Sequence, residues 1–205
     1  MQKNYLRDYI KNLLKKIDKT NKYHPNVIDH AIEKAINNIF SELALKNPRE
    51  LDEYTKEYDL DLAQDGTSRN YTATLTQPFI PIPDKLGGVR HIEAQGDYEE
   101  IKFVPMTQKE FYLYPNTAGY LVSDRIPYYV TSTKIFFFRP TSAVVTSGVT
   151  VHQLIPFTVY ADTDTVMIPQ AMDDAVVKLA LGHLGLIQPV DLANDNNDVI
   201  EQNNG

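Results

Sequence analysis

Apolar positions along the chain change period twice. Tyr5, Leu6, Tyr9, Ile10, Leu13, Leu14 and Ile17 recur at i, i+1, i+4 and i+5, the spacing of one face of an amphipathic helix. Val27, Ile28, Ala31, Ile32, Ala35, Ile36, Ile39, Phe40 and Leu43 repeat the pattern after a break at Thr20–His24, with Pro25 suited to a first helical position. The two segments predict a helical hairpin. Asn47-Pro48-Arg49-Glu50 reads as a cap, a proline and a capping glutamate, and predicts a short third helix near Leu51–Tyr54. From about Glu57, β-branched and aromatic residues dominate, cut at short intervals by Pro, Gly and Asn/Asp. Strands are predicted at Tyr71–Leu75, Phe79–Ile82, Val89–Ala94, Glu100–Val104, Glu110–Tyr114, Tyr128–Thr131, Lys134–Phe138 and Val149–Tyr160. Ser132 and Thr133 between two of them predict a tight hairpin. The period returns to helical at Met172, Ala175, Val176, Leu179, Ala180, His183 and Leu184.

This order predicts an α+β fold: an N-terminal helical part (1–56), a β-rich part (57–165), a closing helix (166–188) and a flexible acidic tail (189–205). The closing helix is too short to stand alone, so it is expected to pack on the hairpin as a small bundle. The β-rich part is then an excursion, expected to be an antiparallel sandwich or barrel-like region. In Ile135–Phe138 the apolar run is continuous, which predicts cover on both faces, with a subunit interface as one source of the second.

Composition narrows the chemistry. With 205 residues, 42% hydrophobic and 23% charged, the chain can bury a core. It has no cysteine, so disulfides and cysteine-ligated zinc are excluded. No apolar run approaches the length of a membrane span, and the N-terminus does not read as a signal peptide, so a protein made in the cytoplasm with no membrane partner is expected. The net charge of −7 is uneven: residues 1–50 carry +4 and the remainder −11. The acidic bulk argues against wrapping nucleic acid over the whole surface. Lys3, Arg7, Lys11 and Lys15, spaced by four, leave a local basic contact open, with DNA or an acidic partner surface, beside the reading as a solvated helix face. The tail Pro189–Gly205 has four acids (Asp191, Asp195, Asp198, Glu201), no bases and five asparagines; it is expected to be disordered alone.

Enzymatic motifs are scarce. Asp162-Thr163-Asp164-Thr165-Val166 after Phe157–Tyr160 looks like the nucleophile loop of haloacid-dehalogenase-type phosphatases. That chemistry needs a doubly wound sheet and later strands bearing a lysine and acidic magnesium ligands. Here only a helix and a polar tail follow. A turn leading into a helix, with Pro169 at its start and Asp173 and Asp174 in its first turns, fits better. The five histidines make no metal-ligand spacing, and His183 is expected to be packed on the apolar face. No phosphate loop or nucleophile elbow occurs. No catalytic, cofactor or metal residue is assigned.

Three stretches carry a resemblance. They are "KYHPNVIDHAIEKAINNIF" (Lys22–Phe40), "RIPYYVTSTKIFFFRP" (Arg125–Pro140) and "DTDTVMIPQAMDDAVVKLALGHLG" (Asp162–Gly185). Together they resemble the head-to-tail connector proteins of tailed bacteriophages, of the tail-tubular-protein-A adaptor type and the ring proteins of crAss-like phages. The resemblance implies a non-enzymatic virion protein at the head–tail interface. Copies, typically twelve, would form a ring under the portal protein, contact other tail or ring proteins, and surround DNA without sequence-specific binding. It implies no catalytic residues and no cofactor. Rival readings are another neck or tail component (a stopper or terminator), a non-viral β-domain module binding carbohydrate or peptide, and a hydrolase built on Asp162 and Asp164.

Overall fold

The structure, a computed structural model, describes residues 1–17, 23–66, 69–83, 87–96, 100–113, 125–169 and 172–186. The fold is α+β. Two helices open it: α1 (Lys3–Ile17) and α2 (Pro25–Lys46). His24 caps α2 by accepting the Asn26 N–H, and Pro25 occupies the first turn, where a missing N–H costs nothing. Pro48–Tyr54 then forms a 3-10 helix, slightly longer than the sequence pattern suggested.

Among the described residues, eight strands form two sheets. β1 (Lys56–Leu60), β4 (Val89–Ala94) and β8 (Val149–Gln153) make an antiparallel sheet with β8 in the centre. β2 (Ala63–Gln64), β3 (Tyr71–Thr74), β5 (Lys102–Pro105), β6 (Arg125–Val130) and β7 (Lys134–Phe137) make the second, in the order β2-β3-β7-β6-β5. The predicted hairpin joins β6 to β7, with Tyr128 opposite Phe137 and the Thr131 N–H bonded to the Lys134 carbonyl at 2.8 Å. The second sheet is mixed rather than antiparallel throughout, because β5 runs parallel to β6. A parallel pair needs a crossover, and the chain supplies one that includes α3 (Gln108–Leu113).

That helix overturns the strand expected at 110–114, of which Tyr114 lies outside the described residues. Thr107 and Glu110 form a reciprocal capping box: the Glu110 N–H reaches Thr107 Oγ1 at 3.2 Å, and the Thr107 N–H reaches Glu110 Oε2 at 2.8 Å. The T-Q-K-E spelling of the cap was in the sequence, overshadowed by the aromatic run beside it. Phe79–Ile82 is no strand either. Pro81 removes a ladder donor within it, and the segment lies outside both sheets, tied by the Ile80 N–H to the Leu154 carbonyl at 2.8 Å. The last predicted strand ends at Gln153; beyond Pro156 the chain turns through a 3-10 helix at Phe157–Val159. A short helix α4 (Ser142–Ser147), capped by Thr141, was not anticipated. The closing helix is α5 (Asp173–His183).

Two large apolar cores and a small aromatic cluster result. One joins α1, α2, α5 and the 3-10 segments, and also takes in Ile80, Ile82, Leu154 and Ile155. The other gathers inward residues of both sheets, among them Val89, Ile92, Val149 and Val151 from one and Ile126, Ile135 and Phe137 from the other. β8 therefore runs from the sheet core at Val149 into the bundle core at Leu154. The outer face of the five-stranded sheet is covered from within the chain: Phe111 of α3 packs edge-on to Tyr129, ring centroids 4.7 Å apart, and to Phe138. α3 thus supplies cover on this face for Tyr129 and Phe138.

Candidate functional site

The predicted basic row on α1 divides when folded. Lys3 is buried, 5% exposed, and its ammonium donates to the carbonyls of Tyr160 at 2.7 Å and Thr158 at 3.1 Å while lying 5.2 Å from the Phe157 ring centre. Arg7 is half-buried and grips Asp29 of α2 through two bonds of 2.6 Å, with Asp162 at 3.1 Å. Both cations are engaged by groups of the chain itself. Lys11 is half-buried and Lys15 exposed, so an outward basic contact narrows to the second half of the helix. The four tail acids, Asp191, Asp195, Asp198 and Glu201, lie outside the described residues.

These contacts meet the D-x-D turn. The first N–H groups of a helix have no partner within it. Here the Lys3 N–H bonds to the Asp164 carbonyl and the Asn4 N–H to the Asp162 carbonyl, each at 3.0 Å, and the Val166 N–H returns to Met1 at 2.9 Å. The turn therefore caps α1 from far along the chain, and it sets two carboxylates near the positive end of the helix dipole. The Asp164 side chain is engaged as well. It accepts from Lys56 at 2.9 Å and from the Ala161 N–H at 3.1 Å, which hold its carboxyl below the ordinary aspartate value. Lys56 also lies 4.6 Å from the Tyr160 ring centre, and burial pushes that phenol up to about 12. Asp162 and Asp164 are thus both salt-bridged to cations of the fold. The turn ends in a helix cap, without the strand of a doubly wound sheet that a phosphatase loop requires. Asp173 and Asp174 sit in the first turn of α5.

A second buried cation joins the two parts of the molecule. Arg90 of β4 is 4% exposed and reaches back to the 3-10 segment: to the Pro48 carbonyl at 2.7 Å and Asp52 at 3.1 Å. Sequence reasoning passed over it, because a lone arginine in a strand carries no local signal.

Histidines do not converge on a metal. His183 is exposed, not packed, and lies 3.4 Å from the Asn38 amide; the buried stripe of α5 is Val176, Val177, Ala180 and Leu181. On the outer face of the three-stranded sheet, His152 sits between Glu93 at 3.1 Å and Glu57 at 3.7 Å, with the His91 ring 5.3 Å away. Among the described residues no group of three or more ligands is placed to hold a metal ion. No helix among them is long and apolar enough to cross a membrane.

What remains open to partners is surface. The apolar positions of α1 split into two stripes. Leu6, Ile10 and Leu14 enter the bundle core, while Tyr5, Tyr9 and Ile17 stay 61%, 44% and 54% exposed. Compared with known proteins, the chain matches no family model and no curated protein.

Proposed function

We propose that this protein is a non-enzymatic structural subunit of a head-to-tail connector ring of a tailed bacteriophage, seated under the portal, joining capsid to tail and surrounding the DNA channel. The observation that carries self-assembly is the outer stripe of α1. Tyr5, Tyr9 and Ile17 lie along one rigid helix that the monomer does not cover, and aromatic residues on an element anchored by ion pairs suit a subunit contact. The place in the virion rests on the resemblance of the three stretches. The charge fits it: an acidic wall repels the phosphate backbone and lets DNA slide instead of adhering. The ring is expected to be dodecameric, with the portal and other tail proteins as neighbours and no cofactor. The engagement of Asp162 and Asp164 with Arg7 and Lys56 supports the non-enzymatic reading.

Light scattering and electron microscopy, with and without a portal protein, test this. Closed rings of many copies are expected. Tyr5→Asp with Tyr9→Asp should prevent them while leaving the melting temperature of the subunit near that of the wild type, because neither ring is part of the core. A protein that stays monomeric with a portal, or that hydrolyses phosphate esters with magnesium and loses this with Asp162→Asn, sinks the proposal.

A further inference from the structure

A cleft of about 460 Å³ opens beside the five-stranded sheet, between β3, the end of β7 and α4. Arg69, Arg139, Tyr71 and Ser142 contribute its polar lining, and Pro140 and Val145 its apolar lining. Among the described residues neither arginine has a carboxylate partner; Arg139 lies only over the Phe138 ring, at 5.1 Å. Their placement is unusual. Tyr71 of β3 stands opposite Phe137 of β7. Arg69 lies two residues before Tyr71 and Arg139 two residues after Phe137, and both line the cleft. Like charges gathered at one cleft repel, and an anion between them removes the repulsion. Arg139 is also the one non-glycine at positive φ (44°) among the described residues, a backbone conformation that costs free energy and gathers at ligand clamps.

The chain carries a matching segment. Asp198-Val199-Ile200-Glu201 places two apolar residues between two carboxylates, within a stretch, Pro189–Gly205, that has no basic residue. Arginine forks suit carboxylates, and Pro140 and Val145 suit the apolar pair. We propose that this cleft receives the Asp198–Glu201 segment of a second copy of the chain. A second copy is favoured by the topology. α4 immediately precedes Val149, the end of β8 away from the bundle, whereas Leu186, where the described C-terminal part ends, packs against the bundle core. The inference needs copies to meet, and so builds on self-assembly, but it does not need a place under a portal.

The absence of native cysteine gives a clean test. Full-length Thr146→Cys and full-length Asn197→Cys are mixed and oxidised. A disulfide-linked dimer between the two variants is expected. Adding Arg69→Glu and Arg139→Glu to the first should lower its yield roughly tenfold, the scale of losing two solvent-exposed ion pairs. Adding Asp198→Lys and Glu201→Lys to the second should then restore it, which a merely unfolded cleft would not allow. No crosslink, a yield indifferent to the charge reversals, or a link formed only within one chain carrying both cysteines overturns the proposal. Loss of the link on adding a short DNA duplex at the same ionic strength also overturns it, in favour of a phosphate site. A link formed by dimers that never close into rings would keep this contact and sink the ring instead.

Discussion

Lys3 shows how a residue chosen for its charge ends up as a structural fastener. Its ammonium is removed from water and satisfied by two carbonyls, so a Lys3→Met variant keeps the stem but strands the carbonyls of Thr158 and Tyr160. We expect a loss of about 2 kcal/mol in denaturant unfolding, the usual cost of orphaned buried polar groups. Asp29→Asn leaves the half-buried Arg7 guanidinium without its main partner, and about 3 kcal/mol is expected. Asp164 adds a pH dependence whose sign is set by its depressed value. Its contribution is complete above the ordinary aspartate value of 3.8 and is lost as pH falls through the lower folded one. The melting temperature of the wild type should therefore exceed that of Asp164→Asn near neutral pH, and the two should converge in strong acid. Tyr160 acts at the other end of the scale. Burial favours its neutral form, so its contribution is whole below 10 and disappears as pH rises from 10 toward about 12. Alkaline melts of wild type and Tyr160→Phe should show the wild type losing stability faster in that window.

Elements here are defined by what lies against them. α3 is six residues long, too short to persist by itself; it is held by its capping box and by Phe111 against Tyr129 and Phe138. Phe111→Ala should cost about 3 kcal/mol and uncover the outer face of the five-stranded sheet, seen as new binding of a hydrophobic dye. The segment at 79–82 is held just as closely. A Cβ on Gly88 would collide with the Ile80 carbonyl and come within 2.6 Å of the Phe79 ring. Gly88 also accepts the Leu154 N–H at 2.8 Å. Backbone cannot yield as a side chain can, so Gly88→Ala should destabilise by about 3 kcal/mol, read as an earlier urea midpoint. The segment at 79–82 thereby serves both cores at the point where β8 passes from one to the other.

At the scale of the whole molecule, charged side chains tie the bundle to the sheets beside the apolar crossing at Ile80, Leu154 and Ile155. Lys3 links α1 to the 3-10 turn that follows β8, Lys56 links β1 to the D-x-D turn, and Arg90 links β4 to the segment after α2. Each is a long-range tie between segments that local sequence keeps apart. High salt should therefore weaken the exposed part of this network, Lys56 with Asp164, more than the buried ties of Lys3 and Arg90. A double-mutant cycle on Lys56 and Asp164 at low and high salt checks this: the coupling should fall as salt rises.

The sequence by itself determined what depends on neighbours a few residues away. The 3.6-residue recurrence from Leu6 to Leu14 and from Ile28 to Leu43, Pro25 at a helix start, the tight turn at Thr131–Lys134 and the closing helix near Val176–Ala180 were all legible, because helix faces, caps and hairpin turns are set by local spacing. Tertiary structure decided what depends on segments far apart. Whether Leu6 or Tyr5 faces the core, and whether Lys3 points to water or to Tyr160, depends on where residues 157–166 come to lie against α1. The parallel pairing of β5 with β6 and the choice of helix over strand for Gln108–Leu113 depend on a crossover and on a sheet face waiting to be covered. The same distinction separates Asp162 and Asp164 as a look-alike nucleophile loop from what they become in the fold: the cap of a helix that begins at the other end of the chain.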